Sequence, residues 1–211
     1  HHAKYREAFG KRLADHPLMQ NVLADLALET EAATLLAFRL SQAFDASAGD
    51  ARERAVQRIL TPIAKFWLCK RLPAVAVEAM ECLGGNGYVE EAPLARFYRE
   101  APLNGIWEGS GNVVCLDVLR SMEKSPESVE ALLGEIGAAA AGEPLLARQL
   151  HDIRSLLSRP AEAQSQARRI VEAIALAAQA ALMSRHSTNE AAGAFIASRL
   201  GDRARGFGTL A

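Results

Sequence analysis

The sequence predicts an all-α protein: an antiparallel up-down four-helix bundle followed by an extra helical subdomain. Three observations carry that expectation. Apolar residues recur at helical spacing over long stretches, as in Leu18, Val22, Leu26, Ala33, Ala37, Leu40 and Phe44. Successive stretches open with helix-start chemistry, at Pro17, at Ser125-Pro126-Glu127 and at Ser187-Thr188-Asn189-Glu190. The breaks between them are short and rich in turn formers, and long helices joined by short connections pack antiparallel.

Taken in order, Lys4 to Lys11 begins abruptly with helix-compatible residues and no N-cap, and Gly10 ends that helix. The abrupt start suggests that a longer protein was cut here, and His1-His2 reads as the remnant of a tag. The next helix runs from Pro17 to Phe44, and D-A-S-A-G-D at 45–50 forms the turn that ends it. A second long helix runs from about Ala51 to Leu83 through Val56, Ile59, Leu60, Ile63, Phe66 and Trp67. Pro62 and Pro73 lie within it. Each removes a backbone donor and crowds the preceding turn, so a kink or break is expected near Arg71 to Pro73. After a glycine turn come a short helix, Pro93 to Arg99, and a longer one, Gly109 to Met122, with Val113, Leu116 and Leu119 on one side.

Ser125 marks the expected domain boundary, giving units at 3–122 and 125–205. The second unit reads as helices at 126–141, 144–157, 160–185 and 189–200. The third of these is rich in alanine, and small side chains let helix axes approach closely. The last opens with a capping-box pattern, Ser187 to Glu190.

A chain of 211 residues with 50% hydrophobic and 23% charged content can bury a real core. Its formal net charge of −1 gives no electrostatic footprint for nucleic acid or anionic membrane. The three cysteines, Cys69, Cys82 and Cys115, are odd in number and sit in apolar helical contexts. Free buried thiols in a reducing compartment are therefore expected, with neither disulfides nor a metal site. The longest apolar run, around Ala173 to Met183, contains Gln179 and falls short of the ~18–20 residues a membrane span needs. A soluble, cytoplasmic protein is expected.

The most informative stretch is Leu83 to Asn112. Gly84, Gly85 and Gly87 follow the helix that ends at Leu83. Such a turn can serve only as a C-cap, or it can let an anionic or planar ligand approach bare backbone. Farther on, Gly105 to Gly111 bracket Trp107 and Glu108. There Glu108 is either a solvated acid near a helix start or a carboxylate held beside a ring for chemistry.

Gly84-Gly85-Asn86-Gly87-Tyr88, then Arg99, then Ile106-Trp107-Glu108-Gly109-Ser110 occur in an order that resembles the acyl-CoA dehydrogenase flavoprotein family, in its C-terminal helical domain. Trp107 for Tyr, followed by Ser110-Gly111-Asn112-Val113-Val114, is most similar to the isovaleryl-CoA-dehydrogenase-like, adaptive-response (AidB-like) branch. The C-terminal extension fits that branch too. Near the start, Arg6-Glu7-Ala8-Phe9-Gly10 resembles the family's R-x-x-F-G motif.

What the resemblance implies is α,β-dehydrogenation of an acyl-CoA thioester with FAD as cofactor. An α-proton is weakly acidic, so its base must be held close and partly desolvated. By resemblance, Glu108 is that base, although some isovaleryl-type members take theirs from another helix. Trp107 and Ser110 take flavin-side positions, and Gly85 lies beside the ADP part. Arg6 and Phe9 reach the FAD pyrophosphate and adenine side across a dimer interface; a guanidinium suits phosphate by forked, charge-assisted hydrogen bonds. Taken alone, Arg6 reads equally as a solvated helix-end residue. At three places where the family carries polar groups near FAD, this chain has Glu81, Ala8 and Pro17.

The family also binds its ligands against an N-terminal helical domain and a middle β-domain that these residues lack. The isolated chain is therefore expected to be inactive and to hold FAD weakly or not at all. A homo-oligomer through the bundle is the implied assembly. Two other readings stand beside this one. The resemblance to the AidB-like branch also implies a DNA-binding, alkylation-response module in the tail, which offers Arg148, Arg154, Arg159, Arg168, Arg169, Arg185, Arg199, Arg203 and Arg205, although Glu127, Glu130, Glu135, Glu143, Asp152, Glu162, Glu172, Glu190 and Asp202 balance them. Alternatively, the chain serves only packing and oligomerisation, with Glu108 vestigial.

Overall fold

Two adjacent left-handed residues shape the start of the chain, in a computed structural model that describes residues 1–201, 207, 209 and 210. A single helical turn, α1 (His2–Tyr5), stops where Arg6 becomes extended. The strands β1 (Glu7–Ala8) and β2 (Lys11–Arg12) then pair antiparallel, Glu7 opposite Arg12 and Ala8 opposite Lys11. Phe9 (φ 53°) and Gly10 (φ 81°) form the two-residue turn, and successive positive φ values suit the right-handed twist of a hairpin. The helix expected to run into Gly10 is therefore replaced by a hairpin. His16 fixes it with a ring-nitrogen hydrogen bond of 3.0 Å to the Ala8 carbonyl.

Helix α2 (Pro17–Ala46) and helix α3 (Ala51–Leu83) pack side by side across the turn at 47–50. Asp50 caps α3 by accepting from the amides of Arg52 and Glu53. No break occurs near Arg71 to Pro73: α3 continues through both prolines. An interior proline costs about 3 kcal/mol. Here α2 and other helices pack along α3, and Pro62, Ile59, Leu60 and Ile63 are buried, so tertiary packing outweighs that cost.

After the glycine turn come α4 (Gly85–Tyr88), α5 (Pro93–Asn104) and α6 (Gly111–Lys124). Helix α5 runs five residues beyond the expected end at Arg99. Helix α6 begins at Gly111 instead of Gly109, because Glu108 and Gly109 have positive φ. The remaining helices are α7 (Pro126–Ala140), α8 (Pro144–Leu157), α9 (Pro160–His186) and α10 (Asn189–Leu200). Thr188, not Ser187, caps α10, by accepting from the Ala191 amide at 3.2 Å; Ser187 donates instead to Glu31 at 2.6 Å.

The core is built around α9, which packs on α2, α3, α6, α7, α8 and α10. Every residue from Ala173 to Met183 is buried. A helix that is apolar all round belongs at the centre of a fold, and its alanines let the surrounding helices approach. One continuous hydrophobic cluster joins Leu36, Ile63 and Val118 to Leu133, Ile174 and Phe195. Among the described residues no helix is long and apolar enough to cross a membrane.

Two buried ion clusters tie distant segments together. Arg39 donates to both oxygens of Glu53 (2.8 and 3.0 Å) and of Glu135 (2.9 and 2.8 Å), linking α2, α3 and α7. Arg71 donates to Glu29 at 2.7 and 3.1 Å, while Arg199 on α10 donates to Asp25 and to Glu29, the latter at 3.3 Å. Asp25 and Glu29, buried on α2, are thus held by guanidinium groups from α3 and α10. All three cysteines are free; Cys82 and Cys115 are buried and Cys69 is half-buried. Burial pushes the thiols up, Cys115 to about 11.

Candidate functional site

The turn after α3 uses its glycines for different reasons. Gly84 (φ 60°) ends the helix in a conformation that disfavours a side chain. Gly87 is buried against α3, where an added Cβ would fall 2.4 Å from the Met80 carbonyl oxygen. Gly85 is different, since a Cβ there would meet nothing within 4 Å. Its backbone faces open space. Arg99 pairs with Glu90 at 2.7 and 3.0 Å, both on the surface.

The second glycine segment leaves α5 through tight turns. The amides of Ile106 and Trp107 both donate to the Leu103 carbonyl, at 2.9 and 3.1 Å. Glu108 then takes φ 52° and Gly109 φ 108°. A left-handed glutamate is uncommon and must be held by its surroundings. Ser110 becomes the N-cap residue of α6, but its hydroxyl does not cap the helix.

What holds this loop is Lys65, in the middle of α3. Its Nζ donates to the carbonyl oxygens of Asn104 (2.8 Å), Trp107 (2.9 Å) and Gly109 (3.0 Å). The end of α5 and the following turn leave carbonyls without amide partners, and an ammonium with three protons answers three of them. Sequence reasoning missed this residue. Its one signal was a lone charge inside the apolar run Ile63 to Leu68.

Lys65 also lines two grooves. One, of about 440 Å³, lies between α2 and α3 and is lined by Thr30, Thr34, Leu68, Cys69 and Leu72, by Trp107, and by the Glu29–Arg71 pair. The other, of about 370 Å³, lies between α3 and α6 and includes Arg58, Thr61, Glu108, Val113, Asp117 and Arg120. Trp107 and Glu108, adjacent in sequence, therefore face different grooves. Both are exposed, Trp107 at 55%. Arg6, Phe9 and Gly85 line neither groove. Arg6 is exposed and Phe9 is 97% exposed at the tip of the hairpin, its ring edge-on to His16. Among the described residues, no group of three or more His, Cys, Asp or Glu side chains could hold a metal ion.

In the tail, most of the arginines named above have intramolecular partners. Arg148 donates to the Leu200 carbonyl, Arg154 lies 3.8 Å from Glu130, and Arg168 donates to Asn112. Arg185 lies 3.9 Å from Glu135, and Arg199 belongs to the Asp25–Glu29 cluster. Arg159 and Arg169 are exposed, while Arg203 and Arg205 fall outside the described residues.

The comparisons agree with one another. Residues 1–123 match the family "Acyl-CoA dehydrogenase, C-terminal domain". AidB of Escherichia coli (strain K12) is 47% identical over 163 residues, which is 77% of this chain and 30% of that protein. Caenorhabditis elegans ACDH-11, solved in complex with C11-CoA, superposes with a TM-score of 0.80 at 25% identity over 93% of this chain and 38% of its own. An acyl-CoA dehydrogenase from Bacillus anthracis, solved in complex with FAD, shares the fold, with a TM-score of 0.64 at 19% identity over 92% of this chain and 41% of its own. The chain thus spans about a third of the length of these relatives. With more than half of its residues inside the family match, the chain belongs to the acyl-CoA dehydrogenase family as a C-terminal helical domain with a helical extension.

Proposed function

We propose that the chain is the C-terminal part of an FAD-dependent protein that α,β-dehydrogenates an acyl-CoA thioester, with Glu108 as the α-proton base. The observation that carries this reading is the loop geometry. Glu108 is held in a left-handed backbone, and the carbonyls on either side of it are pinned to Lys65, while its carboxylate stays open to a groove. A solvated first-turn acid needs no such restraint, whereas a base that must meet one C–H bond does.

The residues assigned to the cofactor fit it. Gly85 offers uncovered backbone, Phe9 is exposed at the hairpin tip beside His16, and Arg6 is exposed. When bound, FAD would accept the β-hydride. Arg6 would pair with phosphate, Phe9 would pack against the adenine side, and Trp107 and Ser110 would flank the flavin. Glu108 would take the α-proton onto its carboxylate. A general base needs partial exclusion of water, and in this chain Glu108 faces solvent. That exclusion has to come from the rest of the protein, so we expect the isolated chain to be inactive and FAD to separate from it on gel filtration.

A homo-oligomer and a cytoplasmic location belong to the same proposal, as does the division at 3–122 and 125–205, taken as family bundle and extension that share one core through α9. Exposed Tyr88, Val89, Phe97, Tyr98 and Ile106 on and around α4 and α5 suit burial against another subunit, and sedimentation of the full-length protein as a monomer would count against it. DNA binding by the tail has less support, because five of its arginines already have internal partners. A salt-sensitive shift of duplex DNA would favour it.

The test is E108Q in the full-length protein. Loss of a general base costs about 10²- to 10⁴-fold in rate, and we expect that loss in kcat with flavin content unchanged. Turnover at the wild-type rate would instead support the packing-only reading.

A further inference from the structure

We propose that Lys65 is the positioning residue for Glu108, acting through the backbone of the loop and not by touching substrate. The inference rests on the reading of Glu108 as base and adds to it the element that sets where the carboxylate stands.

Three facts converge on it. The Lys65 ammonium binds the carbonyls of Asn104, Trp107 and Gly109 at 2.8 to 3.0 Å, so its proton donors are directed into one loop. Two of those carbonyls belong to the residues flanking Glu108, which has φ 52°. The stem of Lys65 rises from the packed middle of α3, between buried Ala64 and Phe66. The clamp is therefore anchored in the core while the clamped segment is at the surface.

Without the ammonium, the three carbonyls lose a shared cationic donor, and the loop has no reason to keep a glutamate left-handed. It would relax toward ordinary φ values, turning the carboxylate away from its present direction. Lys65 also lines both the Trp107 groove and the Glu108 groove. A misplacement of about 1 Å in a reacting group can cost about 100-fold in rate.

The experiment uses the full-length flavoprotein with K65M, K65R, E108Q and the K65M/E108Q double variant. We expect K65M to lower kcat by about 100-fold with KM nearly unchanged, and K65R, which keeps the cation, to lose less. In the E108Q background K65M should change kcat by no more than about twofold, because it acts through the residue already removed. Hydrogen exchange of amides 105–111 should accelerate in K65M while those of α9 do not, which a general loss of stability would not produce. K65Q is read by the same criteria if K65M yields no folded protein.

A kcat in K65M within about threefold of wild type, with E108Q strongly impaired, overturns the role of Lys65 and leaves the base in place. Normal turnover in E108Q removes the base reading, and this inference with it.

Discussion

Replacing Arg39 by Met tests the buried charge cluster that joins α2, α3 and α7. Arg39 makes four hydrogen bonds to Glu53 and Glu135, and its side chain is only 9% exposed, against 20% and 12% for the two acids. Methionine keeps much of the apolar stem but leaves two carboxylates facing each other. Breaking a buried pair from one side costs about 3–5 kcal/mol. Arg185, 3.9 Å from Glu135, and the partial exposure of Glu53 compensate somewhat, so we take the lower end, about 3 kcal/mol. For a chain of this length that corresponds to roughly 6–12 °C in Tm.

The loss should depend on pH. Burial alone would raise the Glu135 carboxyl, but the hydrogen bond and charge of Arg39 more than offset it and hold the group below its ordinary value of 4.5. A depressed carboxyl contributes stability that is present above its unfolded pKa and disappears as pH falls through the folded one. R39M removes the cause of the depression. The gap between wild type and variant should therefore be full at pH 7 and narrow below about pH 4. Denaturant unfolding of both proteins at the two pH values, followed by far-UV circular dichroism, measures it. A gap under about 1 kcal/mol at pH 7, or one that does not change with pH, would refute the reasoning.

Two glycines, treated alike by composition, should respond in opposite directions. G87A places a Cβ 2.4 Å from the Met80 carbonyl oxygen and should destabilise by about 1–3 kcal/mol. G134A, inside α7 with nothing within 4 Å of the new Cβ, should stabilise by about 0.5–1 kcal/mol. Thermal melts of the two variants check both signs, and equal shifts would contradict the packing described for the turn.

The helix order was legible because punctuation and packing agree. Prolines at 17, 126, 144 and 160 stand at the first helical position of α2, α7, α8 and α9. The glycine turn after Leu83 and the loop around Trp107 fall where composition put them. Local rules failed where distant partners decide. Pro62 and Pro73 are carried inside α3 without a break, where neighbouring helices pack along it. Asp25 and Glu29 look like solvent residues until Arg199, some 170 positions away, closes over them. The hairpin at Phe9 and Gly10 hides in residues equally compatible with a helix.

The same limit governs the site. Glycines marked the loop that carries Glu108, but nothing local shows that Trp107 and Glu108 turn into separate grooves. Nor does α3's pattern distinguish Lys65 from a lysine at the surface. Three carbonyls from a segment about 40 residues away give it its role.

The central claim is that Glu108 removes an α-proton, and the most direct measurement of it is α-hydrogen exchange. Full-length protein incubated in D₂O with an acyl-CoA that cannot pass on its β-hydride should introduce deuterium at the α-carbon, followed by NMR. The account predicts exchange in the wild type and none above background in E108Q with its flavin in place. Exchange at the wild-type rate in E108Q would contradict it.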